Sequence, residues 1–208
     1  MKFKTTICAW LCGAAMLGIG VTAQAKPQAA AAPGATAPLA TAIFASGCFW
    51  CTESDFEKLP GVVKAESGYT SGRVPNPSYE QVSAGGTGHT EAVRLYYDPS
   101  KVSYQQLLAS FWRNVDPTVK DRQFCDVGDQ YRSGIYYLNE GQRQAAQASL
   151  ATLQKSGRFP QIYTEIVAAS AFYVAEEYHQ DYAKKNPIRY RYYRTSCGRD
   201  ARLKQLWG

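Results

Sequence analysis

Two cysteines separated by two aromatic residues form the most chemically distinctive stretch of this chain. In the segment "SGCFWCTE", Cys48 follows an apolar run and a glycine, where a helix is expected to begin. Free backbone N–H groups and the helix dipole favour an anion there, so we expect a lowered pKa for the Cys48 thiol. The resulting thiolate would be a nucleophile near neutral pH. Cys51 lies one helical turn later and faces the same side.

Two other interpretations of the cysteine pair stay open on this pattern alone. The first is a structural disulfide between the two residues, and the second is half of a metal site. A zinc site needs two more ligands at short spacing, whereas His89 and His179 are both isolated in the sequence. A redox or metal turn does not require bulky residues between its cysteines. The two aromatic residues therefore favour a thiol that acts on a substrate.

Three further segments carry side chains suited to a site around a nucleophile. "GGTGHTEAV" places Glu91 at the start of a strand, "NPSYE" places Tyr79 after a rigid turn, and "FCDVGDQYRSGIYY" places Asp126 and Tyr131 before another strand. A carboxyl group beside an apolar pocket stays protonated when it loses water, and it can then act as an acid. Tyrosine hydroxyls can donate to an oxygen that gains negative charge. Taken singly, these residues also suit a solvated strand edge and half-buried packing.

Six segments, read together, resemble peptide methionine sulfoxide reductase of the A type. They are "GCFWCTE", "GYTSGRVPNPSYEQV", "GTGHTEAVRLYYDP", "LLASFWRNVDPT", "QYRSGIYY" and "AEEYHQDYAKKNP". The segments occur in that family's order and cover the chain from Ala45 to Pro187. The combination of GCFW with GTGHTE is highly specific, so the resemblance extends to the chemistry as well as to the fold.

The resemblance implies a role for each residue that matches a family motif. Cys48 would be the nucleophile that attacks the sulfoxide sulfur, and Glu91 would be the protonated acid that delivers a proton to the sulfoxide oxygen. Tyr79 and Tyr131 would donate hydrogen bonds to that oxygen. Asp126 would help to hold the site.

The resemblance also implies a pocket, a reaction and a recycling partner. The substrate's S-methyl group would lie in a hydrophobic pocket formed by Phe49, Trp50 and Tyr182. The products would be methionine and a sulfenic acid on Cys48, which a second thiol converts into an intramolecular disulfide that a thioredoxin-like partner reduces. The family acts on the S epimer in oxidised proteins, uses no metal or organic cofactor, and has a ferredoxin-like fold. The sequence leaves open whether free methionine sulfoxide is a substrate.

Three thiols compete to resolve the sulfenic acid, because the C-terminal segment departs from the family pattern. Cys197 lies farther along the chain than the family's usual recycling cysteine, on a tail that can fold over the site, and we favour it. Cys51 is near in sequence, but a disulfide across four residues of a helix is strained unless the turn unwinds. Cys125, which precedes Asp126, is the third candidate.

Two rival functions remain on the residues alone. The alternative enzyme is an exported general thiol–disulfide oxidoreductase that uses Cys48 and Cys51, although such a motif gains nothing from Glu91 or the tyrosines. The other rival is a binding module, suggested by the segment "RYRYYR" at 189–194, since arginine with aromatic residues can bind single-stranded nucleic acid. We expect no nucleic acid partner, because the net charge of +6 falls to +4 without Lys2 and Lys4 of the expected signal, which is a mild excess.

The order of predicted elements, β-α-β-β-α-β-α-β-α, favours an α/β (α+β) fold. We expect a ferredoxin-like two-layer sandwich in which helices pack on a mixed sheet. Strands are predicted at 41–46, 62–69, 90–97, 135–138 and 162–168. Helices are predicted at 48–58, 79–82, 103–114, 139–157 and 175–185, with Ser103 and Asn139 as N-caps. A polar loop is expected at 116–132 and a long coiled tail from 186 onward.

The N-terminus has the composition of an export signal followed by a linker. Lys2 and Lys4 precede an apolar stretch at 7–21 and a small-x-small cleavage signature at 23–25. Residues 26–40 are nearly all Ala, Pro, Gly, Thr and Gln, which predicts a flexible linker. We therefore expect a removable signal at 1–25, with an uncleaved anchor as the alternative, and a catalytic domain at 41–208. The mature protein is expected to be periplasmic, monomeric and not stably inserted in the membrane.

Overall fold

The computed structural model describes residues 38–208, which are built around one six-stranded sheet. Numbered along the chain, the strands are β1 (Ala40–Ser46), β2 (Val62–Thr70), β3 (Thr90–Tyr97), β4 (Arg122–Gln123), β5 (Asp126–Val127), β6 (Ser133–Tyr137), β7 (Glu165–Ala168) and β8 (Tyr173–Val174). Strands β4 and β5 pair with each other outside the main sheet. The strand predicted at 90–97 is confirmed with both of its ends.

The order of strands in the main sheet is β7-β6-β1-β3-β2-β8. Every neighbouring pair is antiparallel except β6 and β7, which are parallel. The expected mixed sheet is therefore confirmed. Its central strand, β1, ends at Ser46, one glycine before the cysteine pair. In the β2–β3 pairing, Glu91 lies opposite Tyr69.

Seven α-helices and two 3₁₀ turns complete the part of the chain that the structure describes. The helices are α1 (Phe49–Glu57), α2 (Tyr79–Ser83), α3 (Tyr104–Arg113), α4 (Glu140–Lys155), α5 (Tyr182–Lys185), α6 (Pro187–Ser196) and α7 (Arg199–Trp207). Side chains of α1, α3 and α4 pack with strand side chains in one buried apolar cluster. At its centre, Phe44 stacks with Phe56 and Phe111, at centroid distances of 5.1 and 5.4 Å. These helices form the second layer of the sandwich.

Local capping explains where two of the predicted helices begin. The Ser103 hydroxyl accepts a hydrogen bond from the Gln106 backbone N–H, and the Gln106 side chain accepts one from the Ser103 backbone. This reciprocal pair satisfies two N–H groups at the start of α3. The Asn139 side chain accepts from the Gln142 N–H at the start of α4. Both predicted N-caps are confirmed.

The long coiled C-terminal tail is the part of the fold prediction that is wrong, because residues 187–207 form α6 and α7. Pro187 occupies the first position of α6, where the missing N–H costs no hydrogen bond. Gly198 joins the two helices with a φ of +69°, which glycine adopts without a steric penalty. Ion pairs from Arg194 to Asp55 and Asp200 then hold α6 against the domain. Arg194 and Asp55 are far apart in the sequence, so the composition of the tail alone did not indicate that they meet.

Two other segments differ from the prediction in smaller ways. The helix expected at 175–185 is a 3₁₀ turn (Glu177–His179) followed by the single turn α5. The polar loop expected at 116–132 contains the β4–β5 hairpin and a second 3₁₀ turn (Asp129–Tyr131). Both segments lie beside the cysteine pair, and their irregular backbones carry residues of the site.

The predicted signal and most of the predicted linker lie outside the described residues. Cleavage after residue 25, the boundary at residue 41 and export therefore stay predictions. Within the described part, no helix has the length and apolar character needed to cross a membrane.

Candidate active site

The path from β1 into α1 places Cys48 at the N-terminus of a helix. Gly47 makes the turn with a φ of +86°, and a side chain there would collide with the Cβ of Gln123 at 2.5 Å. Cys48 is the N-cap residue of α1, and its carbonyl accepts hydrogen bonds from the backbone N–H groups of Cys51 and Thr52. The buried end of the central strand therefore fixes the position of the sulfur.

A cavity of about 210 Å³ opens at Cys48 and collects most of the residues singled out from the sequence. Its walls are formed by Cys48, Phe49, Trp50, Tyr79, Glu91, Asp126, Tyr131 and Tyr193. All of these except Tyr193 were candidates on sequence alone, and the fold brings them together from distant segments of the chain. The other three candidate cysteines, at positions 51, 125 and 197, do not line the cavity.

Glu91 is a buried carboxyl group with a single hydrogen-bond donor. It is 3% exposed at the start of β3, and its Oε2 accepts the Phe49 backbone N–H at 3.0 Å. Burial raises the pKa of Glu91 to about 8, and the charges of Asp126 and Cys51 act in the same direction. The carboxyl group is therefore protonated at neutral pH and can donate a proton into the cavity.

Two phenols face the same space as Glu91. Tyr79 is the first residue of α2, and its backbone N–H is held by a hydrogen bond of 2.8 Å to the Glu176 carboxylate. Tyr131 is the last residue of the 3₁₀ turn before β6. Burial and the charge of Glu91 raise the pKa of Tyr79 to about 12, and the same two causes raise the pKa of Tyr131. Both hydroxyls keep their protons and act as hydrogen-bond donors.

A set of stacked rings supports the apolar side of the cavity. Trp50 stacks face to face on Tyr182, with centroids 3.7 Å apart and planes inclined by 5°. The Trp50 Nε1 donates a hydrogen bond of 3.0 Å to Nδ1 of His179. His179 packs in turn on Phe49 and Tyr79, at 4.9 and 4.4 Å. Tyr182, predicted to form the pocket wall, instead supports Trp50 from behind and does not line the cavity. The supporting role of His179 was not predicted from the sequence.

Burial of Cys48 and the contact between the two free thiols set their ionisation, and the outcome differs from the expectation. Burial and the neighbouring Cys51 and Glu91 raise the pKa of the Cys48 thiol well above its ordinary value. A hydrogen bond with Cys48 lowers the pKa of Cys51 to about 7, aided by the charges of Arg199 and Arg194. The lowered pKa expected for Cys48 is therefore wrong, because burial removes water from the sulfur and Cys51 and Glu91 disfavour its negative charge.

The other two cysteines are bonded to each other. A disulfide joins Cys125, just before β5, to Cys197 at the end of α6, while Cys48 and Cys51 are free thiols. Among the described residues, Cys125, Asp126 and Cys197 form a group of possible metal ligands whose ligand atoms lie within 4.8 Å of one another. The two sulfurs of this group are bonded to each other in the disulfide. The resolving role of Cys197 stays a prediction, and in this form its sulfur is already bonded.

Tyr193 is the cavity residue that sequence reasoning missed. Its hydroxyl donates a hydrogen bond of 2.5 Å to Oδ2 of Asp126. It lines the cavity beside Cys48, and its hydroxyl acts to lower the pKa of the Cys48 thiol. Its ring meets Trp50 edge-on, with centroids 5.8 Å apart. The segment "RYRYYR" was noted only as basic and aromatic. If this segment had been predicted as a helix, Tyr193 could have been assigned to the helix face that packs on the domain.

Comparisons with known proteins give a consistent result. Residues 40–208 match the family model described as peptide methionine sulfoxide reductase. The chain is 51% identical over 180 residues to peptide methionine sulfoxide reductase MsrA 2 of Caulobacter vibrioides, covering 86% of this chain and 91% of that protein. The crystal structure of reduced Mxr1 from Saccharomyces cerevisiae matches with a TM-score of 0.68 and 32% identity, covering 73% of this chain and 87% of that one.

A second yeast structure shows a relative of this chain with a partner. Mxr1 in complex with Trx2 matches with a TM-score of 0.50 and 25% identity, and the match covers 70% of this chain and 86% of that chain.

Proposed function

This chain belongs to the peptide methionine sulfoxide reductase family and is an oxidoreductase, and we propose that it reduces the S epimer of methionine sulfoxide in oxidised proteins. One observation supports the proposal above all: a free cysteine, a protonated carboxyl group and two phenols line one small cavity with Phe49 and Trp50. Thiol–disulfide exchange transfers no oxygen, so it does not require a protonated carboxyl group and two phenols around one cavity. A sulfoxide needs such an acid, because its oxygen must leave the sulfur.

The first half of the reaction uses the cavity residues as follows. The Cys48 sulfur attacks the sulfoxide sulfur, and Glu91 gives its proton to the sulfoxide oxygen. Tyr79 and Tyr131 donate hydrogen bonds to this oxygen as its charge develops. The oxygen finishes on Cys48, so a thiol and a sulfoxide become a sulfenic acid and a thioether. The substrate is reduced by two electrons and the Cys48 sulfur is oxidised by two.

The shape of the pocket favours the methyl end of the substrate. Phe49 and Trp50 present apolar surface to the space above Cys48, and Tyr182 holds the Trp50 ring from one face. A methyl group on sulfur fits against these rings, while the rest of the oxidised residue points to solvent. This arrangement suits a methionine sulfoxide that remains part of a polypeptide.

For the second half of the reaction, the structure supports Cys51 as the thiol that attacks the sulfenic acid. Cys51 contacts Cys48, and its pKa, lowered to about 7, leaves a large fraction of it as thiolate at neutral pH. The strain expected for a helical Cys48–Cys51 disulfide does not apply, because Cys48 is the N-cap and has non-helical backbone angles. Attack by Cys197 would first require its disulfide with Cys125 to open.

A thioredoxin-like protein is the proposed reductant for the resulting disulfide. The match to the yeast Mxr1–Trx2 complex supports a partner of this class. Such a partner supplies a dithiol, which becomes a disulfide while the enzyme recovers its two thiols.

Export and the state of the mature protein complete the proposal. We propose that residues 1–25 direct export to the periplasm and are removed, so that the mature enzyme works there as a monomer without stable membrane insertion. Mass spectrometry of protein purified from the producing cells would test the cleavage, because the mature chain must begin at Lys26. Retention of residues 1–25 would refute it.

The central test is a product assay with both sulfoxide epimers. We expect the S epimer of a methionine sulfoxide peptide to give methionine in a thiol-dependent reaction, and the R epimer to give none. Cys48→Ser should abolish the reaction. The rival activity is measured in parallel as the reduction of insulin disulfides. Disulfide reduction without methionine formation would contradict the proposed function.

A further inference from the structure

Tyr193 joins the attacking sulfur to a carboxylate that the proposed function leaves without a chemical task. Its hydroxyl donates to Asp126 at 2.5 Å, and it lines the same small cavity as Cys48. The hydroxyl also acts to lower the pKa of the Cys48 thiol. The structure therefore brings Cys48, Tyr193 and Asp126 together at one cavity wall, with Tyr193 bonded to the carboxylate. Tyr193 comes from α6, a helix that contributes no other residue to the cavity wall.

Resting on the proposed function, we propose that Tyr193 is a further catalytic residue, which carries the proton of the Cys48 thiol to Asp126 as the sulfur attacks. The thiol proton passes to the Tyr193 oxygen while the Tyr193 proton passes to the Asp126 carboxylate. The new thiolate then accepts a hydrogen bond from the regenerated phenol. The proton that leaves the thiol is matched by the proton that Glu91 gives to the sulfoxide oxygen.

The buried thiol needs this assistance. Its pKa is raised by burial, so the thiol holds its proton at neutral pH, while the hydrogen bond to Tyr193 acts in the opposite direction. Burial also raises the pKa of Asp126, which makes this carboxylate a stronger base than an ordinary aspartate. The first change opposes the ionisation of Cys48, and the second makes Asp126 a better acceptor for the thiol proton through Tyr193.

Three separate attachments hold Tyr193 in place. The Cys125–Cys197 disulfide links the hairpin carrying Asp126 to the end of α6, four residues beyond Tyr193. On the next residue, the Arg194 guanidinium contacts Asp55 on α1 at 2.9 Å and Asp200 on α7 at 2.7 Å. The phenol is thus fixed relative to both of its partners by a covalent bond and two ion pairs.

Several titratable groups surround the Cys48, Tyr193 and Asp126 side chains and affect the pH dependence of the proposed proton transfer. Cys51 is a competing acceptor for the thiol proton, because it also hydrogen-bonds with Cys48. Other ionisable groups around the reacting sulfur, Tyr193 and Asp126 come from further segments and are Glu91, Tyr79, Tyr131, Arg194 and Arg199. A ratio of two variants at each pH removes the contribution of the groups that both variants share.

The experiment compares Tyr193→Phe with Tyr192→Phe, a matched change at a neighbour that is 76% exposed. Methionine formed in a single turnover without reductant is measured from pH 6 to pH 10. We expect Tyr193→Phe to lower the rate by about 100-fold at pH 6, the scale of a lost proton-transfer group. The factor should shrink as pH rises, because solvent then ionises the thiol. Tyr192→Phe should behave as wild type.

A purely structural role for Tyr193 predicts a different pattern. The rate would then fall by the same factor at every pH, and this result would overturn the proposal. Equal rates for Tyr193→Phe and Tyr192→Phe would overturn the proposal as well. If Cys51→Ser showed the pH-dependent loss and Tyr193→Phe did not, Cys51 would be the group that accepts the thiol proton. Asp126→Asn should reproduce the pattern of Tyr193→Phe, and the double variant should lose no more than either single one.

A readout that needs no sulfoxide separates this proposal from the proposed function. In a Cys51→Ser background, the alkylation of Cys48 by iodoacetamide reports its thiolate at each pH. Tyr193→Phe should move the alkylation profile to higher pH, even if the wild type formed no methionine. An unchanged profile would refute the contact between Tyr193 and the sulfur.

Discussion

Replacement of Glu91 by glutamine should make the protein more stable while it removes the proton donor. The unfolded carboxyl group has a pKa near 4.5, and the folded one a pKa of about 8, so folding at neutral pH requires the uptake of a proton. The glutamine side chain is neutral at every pH and needs no proton. Its side-chain oxygen would keep the hydrogen bond from the Phe49 N–H. The same burial that prepares the acid therefore costs stability.

The sign and size of the effect follow from the two pKa values. Because the folded pKa is raised, the native carboxyl group imposes no cost below pH 4.5 and an increasing cost up to pH 8. Each pH unit in this interval corresponds to about 1.4 kcal/mol. The stability gained by Glu91→Gln should therefore grow by roughly 3 kcal/mol between about pH 5 and pH 7.5, and it should level off above pH 8.

Urea unfolding followed by tryptophan fluorescence measures this difference directly. Wild type and Glu91→Gln are compared at several values between about pH 5 and pH 8.5, with the disulfide left intact. Glu80→Gln, an exposed glutamate on α2, serves as the matched control and should show no such trend. A gain for Glu91→Gln that does not change with pH would refute the raised pKa. In the first-turnover assay the same variant should lose about 100-fold or more of the rate.

The cysteines and the aromatic wall of the cavity give three further predictions. After one turnover without reductant, peptide mapping should find a Cys48–Cys51 disulfide, and Cys51→Ser should retain one turnover but lose recycling. If Cys197→Ser instead loses recycling while Cys51→Ser keeps it, the sequence-based preference for Cys197 is correct. Trp50→Ala should raise KM about tenfold in initial-rate assays, because the substrate methyl group loses apolar contact, and an unchanged KM would remove Trp50 from the pocket. The same variant should lower the temperature of thermal unfolding, because it removes the stack on Tyr182 and the hydrogen bond to His179. Cys125→Ser should destabilise the protein by roughly 2–5 kcal/mol in urea unfolding, since the disulfide closes a loop with a sequence separation of 72 residues, and a loss below about 1 kcal/mol would show that the ion pairs alone hold α6.

The sequence was sufficient wherever short-range signals decide the structure. The alternating residues of β3 and the caps of α3 and α4 are local patterns, and all three elements appear where they were predicted. The motifs around Cys48 and Glu91 were equally informative, because their residue types match a known chemistry. Family resemblance then brought together side chains that are far apart in the sequence.

Only the tertiary structure decided which groups are buried and which distant partners meet. The pKa of the Cys48 thiol rises because the fold removes water from it and places Cys51 and Glu91 beside it, which the helix start visible in the sequence did not indicate. The tail forms α6 because Arg194 and the Cys125–Cys197 disulfide attach it to the domain, and this attachment brings Tyr193 to the sulfur. The burial of a group and its pairing with a distant residue both depend on how the whole chain folds. No local pattern of residues contains them, so the sequence identified the nucleophile and the acid, and the fold determined how each holds its proton.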